Sequence, residues 1–274
     1  MRPDLYALVI RLMPETGGPA PETPGHQLQA LFFELVRQVD PELANTLHAD
    51  AASKHFTVAA LPPASSRPAE RSTVKGRQDT LALRVTLLHA DLFAPFTRAL
   101  LEQTARPALR LGSTPLRITE ACGTPESDPW AGFGTWTTLH AAAQATERLT
   151  LRFVTPTAFS QGEDAGRKRV GVLPDPETVF GSLLRRWNAL APMQLDEAAV
   201  RQAAARAVIA DYEMRTTTFA LGKAPQVGFV GRCRYELRGD PDERRQLALL
   251  ADAAFYLSVG MKTTRGMGLC RRVG

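Results

Sequence analysis

His48 and Lys54 are the two residues of this chain best suited to acid–base chemistry at a phosphate. A histidine can give or take a proton near neutral pH. A neighbouring ammonium can stabilise charge that builds up on phosphorus. Asp40-Pro41 opens a short helix, with Asp as N-cap and Pro at the first helical position. That helix ends near His48, where the macrodipole favours a cation. Lys54 follows before a strand, so a tight turn can bring the two side chains together. Taken alone, a helix-capping histidine and a solvated lysine are the plainer account of the pair. His26, at the start of the preceding helix, is the competing histidine, and an exposed first-turn residue is its plainer account.

The second cluster is the C-terminal stretch from Gly260 to Gly274, with four glycines, four cations and two threonines. Gly260, Gly266 and Gly268 let a backbone approach a ligand closely and take positive φ. Successive N–H groups in such a loop form a concave anion site, and Lys262, Thr263, Thr264 and Arg265 would suit a phosphate. A glycine-rich turn with its cations facing water explains the same residues equally well. Further cations cluster at Arg167-Lys168-Arg169 and Arg185-Arg186. The helix periodicity leaves Arg185 and Arg186 toward the edge or outside of their helix.

Composition narrows the classes. The 274 residues suit one large domain or two of ordinary size, and 44% hydrophobic content supports a core. With 33 basic and 28 acidic residues the net charge is +5, which fits a polyanion partner without requiring one. Cys122, Cys233 and Cys270 are an odd, scattered set, so neither a disulfide framework nor a zinc knuckle is expected. None of the five histidines pairs with another ligand at metal spacing. P-loop, dinucleotide and nucleophile-elbow fingerprints are missing too. With no signal-peptide pattern and no long apolar run, a cytoplasmic protein with no membrane partner is expected.

The elements that must position these residues follow from periodicity. Leu5 to Met13 is a nearly continuous apolar strand of the centrally buried kind. Leu28, Leu31, Phe32, Leu35, Val36 and Val39 give a helix face. Phe56–Leu61 and Leu81–Leu88 are strands, joined by the polar connection Pro62–Asp79 with its cations Arg67, Arg71, Lys75 and Arg77. A helix from about Asp91 to Gln103 and a strand near Leu116 to Ala121 complete a strand–helix–strand–strand–helix–strand unit. Residues 123–148 read as the domain connection. The order then repeats with a strand at Leu149–Val154, a helix faced by Val179, Phe180, Leu183, Leu184, Trp187 and Leu190, and a hairpin of Val208–Leu221 with Val227–Leu237. A helix starting at Asp240-Pro241-Asp242-Glu243 and a last strand end the chain. This predicts an α+β fold of two tandem ferredoxin-like βαββαβ domains, 1–138 and 146–274. Val227-Gly228-Phe229-Val230-Gly231 partly matches the strand motif of RNA-recognition domains. Arg232 stands where a stacking aromatic belongs, so a core strand is the better reading.

Several stretches in order along the chain resemble one family. They are Pro41-Glu42-Leu43 through Leu47-His48 with Phe56-Thr57-Val58, then Thr155-Pro156-Thr157-Ala158-Phe159, then Leu173-Pro174-Asp175-Pro176 leading to Ser182-Leu183-Leu184-Arg185-Arg186-Trp187, then Gly228-Phe229-Val230-Gly231. The most specific is Val259-Gly260-Met261-Lys262-Thr263-Thr264-Arg265-Gly266-Met267-Gly268. Together they resemble the CRISPR-associated endoribonucleases of the Cas six type, in the RAMP superfamily. The resemblance implies metal-independent cleavage of CRISPR repeat RNA with no cofactor, by 2′-OH attack to leave 2′,3′-cyclic phosphate and 5′-OH ends. It places the family's catalytic His on His48 and a supporting Lys on Lys54. It implies RNA binding by the glycine loop and the basic clusters. Other Cas proteins of an effector complex, and a second copy of the chain, are the further partners it leaves open. The competing function is a RAMP-type subunit that holds guide RNA without cutting it. Two departures stand out: Phe33 where some members carry a catalytic Tyr, and Ser258 where a further Gly is common.

Overall fold

β1 (Leu5–Pro14) is buried along almost its whole length, as its unbroken apolar run requires. The computed structural model that places it describes residues 2–16, 21–49, 54–62, 80–102, 108–164, 166–222 and 225–274. β1 is the middle of an antiparallel sheet. β3 (Leu81–Leu87) pairs on one side of it and β5 (Thr114–Cys122) on the other. β2 (Phe56–Leu61) extends the sheet beyond β3. Two short strands, β4 (Leu109–Leu111) and β6 (Gly132–Gly134), complete it by pairing with β5 and β1. Helices α1 (Gly25–Arg37) and α3 (Phe93–Glu102) bury Leu28, Leu31, Phe32 and Phe96 against one face. Between α1 and β2 runs α2 (Pro41–Ala49), with Asp40 accepting a hydrogen bond from the Leu43 N–H at 2.8 Å. The polar connection between β2 and β3, residues 63–79, lies outside the described residues.

A short helix, α4 (Trp136–Ala142), leads into the second unit. There β7 (Arg148–Thr157) is central, flanked by β11 (Pro225–Glu236) and β12 (Cys270–Arg272), with β10 (Val208–Ala220) outside β11. Helices α5 (Pro176–Leu190), α6 (Glu197–Arg206) and α7 (Pro241–Leu257) cover the apolar face. Asp240 and Glu243 form a capping box at the start of α7, as the Asp-Pro-Asp-Glu run predicts. β8 (Phe159–Asp164) and β9 (Arg167–Gly171) form a separate two-stranded hairpin. In each unit the four main strands lie in the order second, third, first, fourth, all antiparallel, which is the ferredoxin-like arrangement. The connection read as 123–148 is more structured than its Gly/Pro content suggests, because β6 pairs with β1 and α4 is capped by Thr135.

The two units share packing. Leu5 and Ala7 of β1 belong to the same apolar cluster as the second unit's core. Arg84 is one polar link between them. It is 1% exposed, on β3, yet its Nε donates to the Trp130 carbonyl at 2.9 Å and its Nη2 to the Phe255 carbonyl of α7 at 2.7 Å. Its guanidinium carbon also lies 4.5 Å from the Phe255 ring centre. Burial pushes Arg84 down to about 9. Arg84→Ala should therefore cost roughly 3–6 kcal/mol, because two hydrogen bonds from a charged donor are lost at about 1.5–3 kcal/mol each. Urea unfolding of both proteins measures it, and an unchanged midpoint would mean that the link is dispensable.

Candidate active site

The sequence places His48 in the last turn of α2 and Lys54 just before β2, and the Lys54 ammonium reaches the end of α2. Lys54 Nζ donates to the carbonyls of Leu47 and His48, each at 2.9 Å. The lysine thus caps the helix that carries the histidine, satisfying two carbonyls that a helix end leaves without partners. His48 itself is exposed. Its ring meets Phe33 of α1 edge-on, with centres 5.1 Å apart and planes at 72°. Phe33 is 5% exposed and also packs on Phe32 and Phe56. The imidazole therefore rests on a fixed aromatic wall and is open to solvent. A Phe here supplies orientation but no hydroxyl. His26 makes a different contact, with Nδ1 3.2 Å from the Leu221 carbonyl beyond β10.

The glycine-rich loop lies between the two units, and most of its backbone is already engaged. The Gly260 N–H donates to Ser182 Oγ, the Met261 N–H to the Ala158 carbonyl and the Gly268 N–H to the Pro156 carbonyl. The Gly266 N–H crosses to the Val58 carbonyl of β2 at 2.9 Å. Thr263 is 4% exposed, and its hydroxyl accepts from Arg186 Nη1 at 2.9 Å. Thr264 accepts from Gln29 Nε2 at 3.1 Å, while Arg265 Nε donates to Gln29 Oε1 at 2.9 Å. The expected row of free N–H donors at Gly260, Gly266 and Gly268 is thus corrected. These groups knit the loop to both units, because a buried loop must satisfy its own backbone. Ser258 and Lys262 hold positive φ, 58° and 60°. The Ser258 value explains why a glycine suits that position.

Side chains, then, carry the loop's charge. Lys262 is exposed. Partial burial, then repulsion from Arg265 and Lys168, holds its ammonium below the usual lysine value. Lys168 of β9 and the loop cations therefore share one region, while Arg167 opens β9 and Arg169 is exposed on it. On α5, Arg185 is exposed as expected. Periodicity places Arg186 at the edge or outside of its helix, and the half-buried side chain lies at the edge with its Nη1 directed to Thr263. A cavity of about 270 Å³ lies beside it, lined by Lys54, Ser182, Arg185, Arg186, Ala189, Leu190 and Gly260. The cavity joins Lys54 to α5 and the glycine loop. Sequence reading missed Gln29 and Ser182 as supports of the loop. Ser182 had a signal: it is four residues before Arg186 on an otherwise apolar helix face. Among the described residues no group of three or more His, Cys, Asp or Glu could hold a metal. No helix among them is long and apolar enough to cross a membrane.

Two ferredoxin-like units in tandem, with a glycine loop between them and a histidine on the second helix, define the class. The family model described as the CRISPR Cas6 N-terminal domain matches residues 4–141, and that described as CRISPR-associated endoribonuclease Cas6 matches residues 151–270. This chain belongs to the CRISPR-associated endoribonuclease Cas6 family. A Cas6 of Thermus thermophilus superposes with TM-score 0.77 at 33% identity, covering 100% of both chains. A Cas6 product complex superposes with TM-score 0.85 at 36% identity, covering 98% of this chain and 99% of that one. A curated CRISPR-associated endoribonuclease Cas6 of Mycobacterium tuberculosis is 27% identical over 131 residues, 47% of this chain and 40% of the relative. The match thus spans less than half the length of that curated relative.

Proposed function

We propose that this protein is a metal-independent endoribonuclease that cuts CRISPR repeat RNA into guide RNA. The ribose 2′-OH attacks the adjacent phosphate and leaves a 2′,3′-cyclic phosphate and a 5′-OH. The observation that carries the reading is the Lys54 ammonium that caps the helix bearing an exposed, aromatic-backed His48. His48 serves as general acid to the departing 5′-oxygen. Lys54 has one N–H left after its two helix bonds and stabilises charge on the phosphorane. Lys262, Arg265, Lys168, Arg169 and Arg185 track the RNA backbone, and repeat RNA is the partner on the same grounds. Related Cas6 structures described as product and substrate-mimic complexes support the reading. The experiment is a gel of labelled repeat RNA with the purified protein in excess chelator, with analysis of the product ends. Cleavage should persist and leave cyclic phosphate. Cutting that stops in chelator and returns with magnesium contradicts the mechanism. Tight RNA binding with no cutting under any condition would favour the non-catalytic RAMP-type subunit.

A further inference from the structure

Arg186 carries two buried, unpartnered guanidinium nitrogens. Its Nη1 donates to Thr263, but its Nε and Nη2 are buried and have no hydrogen-bond partner. A guanidinium cannot escape this by losing its proton. A buried cation is ordinarily paired with an anion. The lining of the neighbouring cavity contains no carboxylate. Burial alone lowers Arg186 to about 10, with no neighbouring charge restoring it.

The other lining groups are donors as well. Ser182 is one helical turn before Arg186. Its Oγ already accepts from the Gly260 N–H at 2.9 Å, and its own proton has no acceptor among the described residues. Lys54 spends two N–H groups on α2 carbonyls and keeps one. Arg185 adds a second guanidinium at the exposed side. The lining thus sets three cations, Arg186, Lys54 and Arg185, beside the Ser182 hydroxyl with no carboxylate, a composition that matches a tetrahedral oxyanion.

We propose that this cavity is a built phosphate site, in which Arg186 and Ser182 hold a single RNA phosphodiester next to the bond that His48 serves. The RNA identity of that phosphate rests on the cleavage reading above. The phosphate chemistry rests on the cavity alone. Because Lys54 both lines the cavity and caps α2, a phosphate held there is fixed relative to the helix that carries His48. Arg186 thereby acts as a positioning residue for the RNA backbone, distinct from the surface cations that follow it loosely.

The test has two arms, so that the two layers can fail separately. In the first, thermal unfolding of the full chain is compared in inorganic phosphate and in chloride at matched ionic strength. Phosphate should raise the midpoint of the wild type and of Arg201→Gln, an exposed control on α6, but not of Arg186→Met. Ser182→Ala keeps every charge and should shrink the shift, which covers the case in which Arg186→Met does not fold. No phosphate-specific shift in the wild type, or an equal shift in Arg186→Met, overturns the site. In the second arm, repeat RNAs carry one neutral methylphosphonate at successive positions. One position should weaken wild-type binding roughly tenfold or more and leave Arg186→Met binding unaffected. A phosphate shift with no such position assigns the cavity to free phosphate and overturns the RNA half. The first arm stands even if the chain cuts no RNA.

Discussion

His48→Ala is expected to bind repeat RNA nearly as well as the wild type and to cut it roughly 10²–10⁴-fold more slowly, the usual worth of one positioned acid or base. The reaction moves two protons, one off the attacking 2′-OH and one onto the departing 5′-oxygen. Histidine as a residue type can serve either step near neutral pH. His48 is exposed, so a phosphate can reach it, and its ring is held against Phe33 at 5.1 Å. Removing the imidazole leaves α2 intact, because Lys54 caps the backbone carbonyls of Leu47 and His48 and not the side chain. Binding and chemistry should therefore separate cleanly. Lys54→Ala should slow cleavage less, and its effect mixes lost charge stabilisation with an uncapped helix end. His26→Ala should be milder than either, since His26 is tied to Leu221. The readout is single-turnover cleavage with saturating protein beside a binding titration for each variant. A His48→Ala protein that cuts at the wild-type rate refutes the assignment, and a dead His26→Ala protein would name the other histidine.

Gly268→Ala is expected to damage the fold itself. Gly268 has φ +78°, and a Cβ there would run into the backbone carbonyl oxygen of Val259. The left-handed conformation costs an alanine about 1–2 kcal/mol. Overpacking against backbone, which no rotamer relieves, adds about 1–3 kcal/mol. The same residue holds two crossing bonds, from its N–H to Pro156 and from the Val259 N–H to its own carbonyl. A loss on the order of 3 kcal/mol would lower the unfolding midpoint by roughly 6–10 °C. RNA binding and cleavage should then fall together, unlike the His48 result. Gly162→Ala is the control. Its φ is +84° with nothing within 4 Å of the added carbon, so only the backbone cost of about 1–2 kcal/mol applies. Circular dichroism melts of the three proteins decide it, and a Gly268→Ala midpoint equal to that of Gly162→Ala means that the loop yields.

How much of this could be read in the sequence differs by element. The main strands and the helices bearing wide apolar faces were legible on different grounds: β1 as an unbroken apolar run buried on both faces, β10, which buries no residue, from its hairpin with β11, and the others from the period of their apolar residues. The hairpin of β8 and β9 was not. It covers no core beyond Phe159 and shows no alternation of apolar and polar residues. Helix α6 buries only Val200, Ala203 and Ala204, whose small side chains leave a faint stripe. Among the candidate residues, the approach of Lys54 to the end of α2 was legible because helix end and strand start are close in sequence. The bond from Arg186 to Thr263 was not, since the two are 77 positions apart. The glycine loop was seen as a loop that approaches something closely. That it approaches Pro156, Ala158 and Val58 of its own chain is a long-range fact that spacing within the loop does not contain.

Cleavage of repeat RNA by attack of its own 2′-OH turns on one hydroxyl. Once the cut position is mapped, a repeat RNA with a single 2′-deoxy sugar immediately 5′ of that phosphate removes the nucleophile and leaves the backbone charge and all base contacts in place. The protein should bind this RNA and not cut it at that position, with or without chelator. Cleavage of the 2′-deoxy RNA at the same phosphate would rule out attack by the 2′-OH.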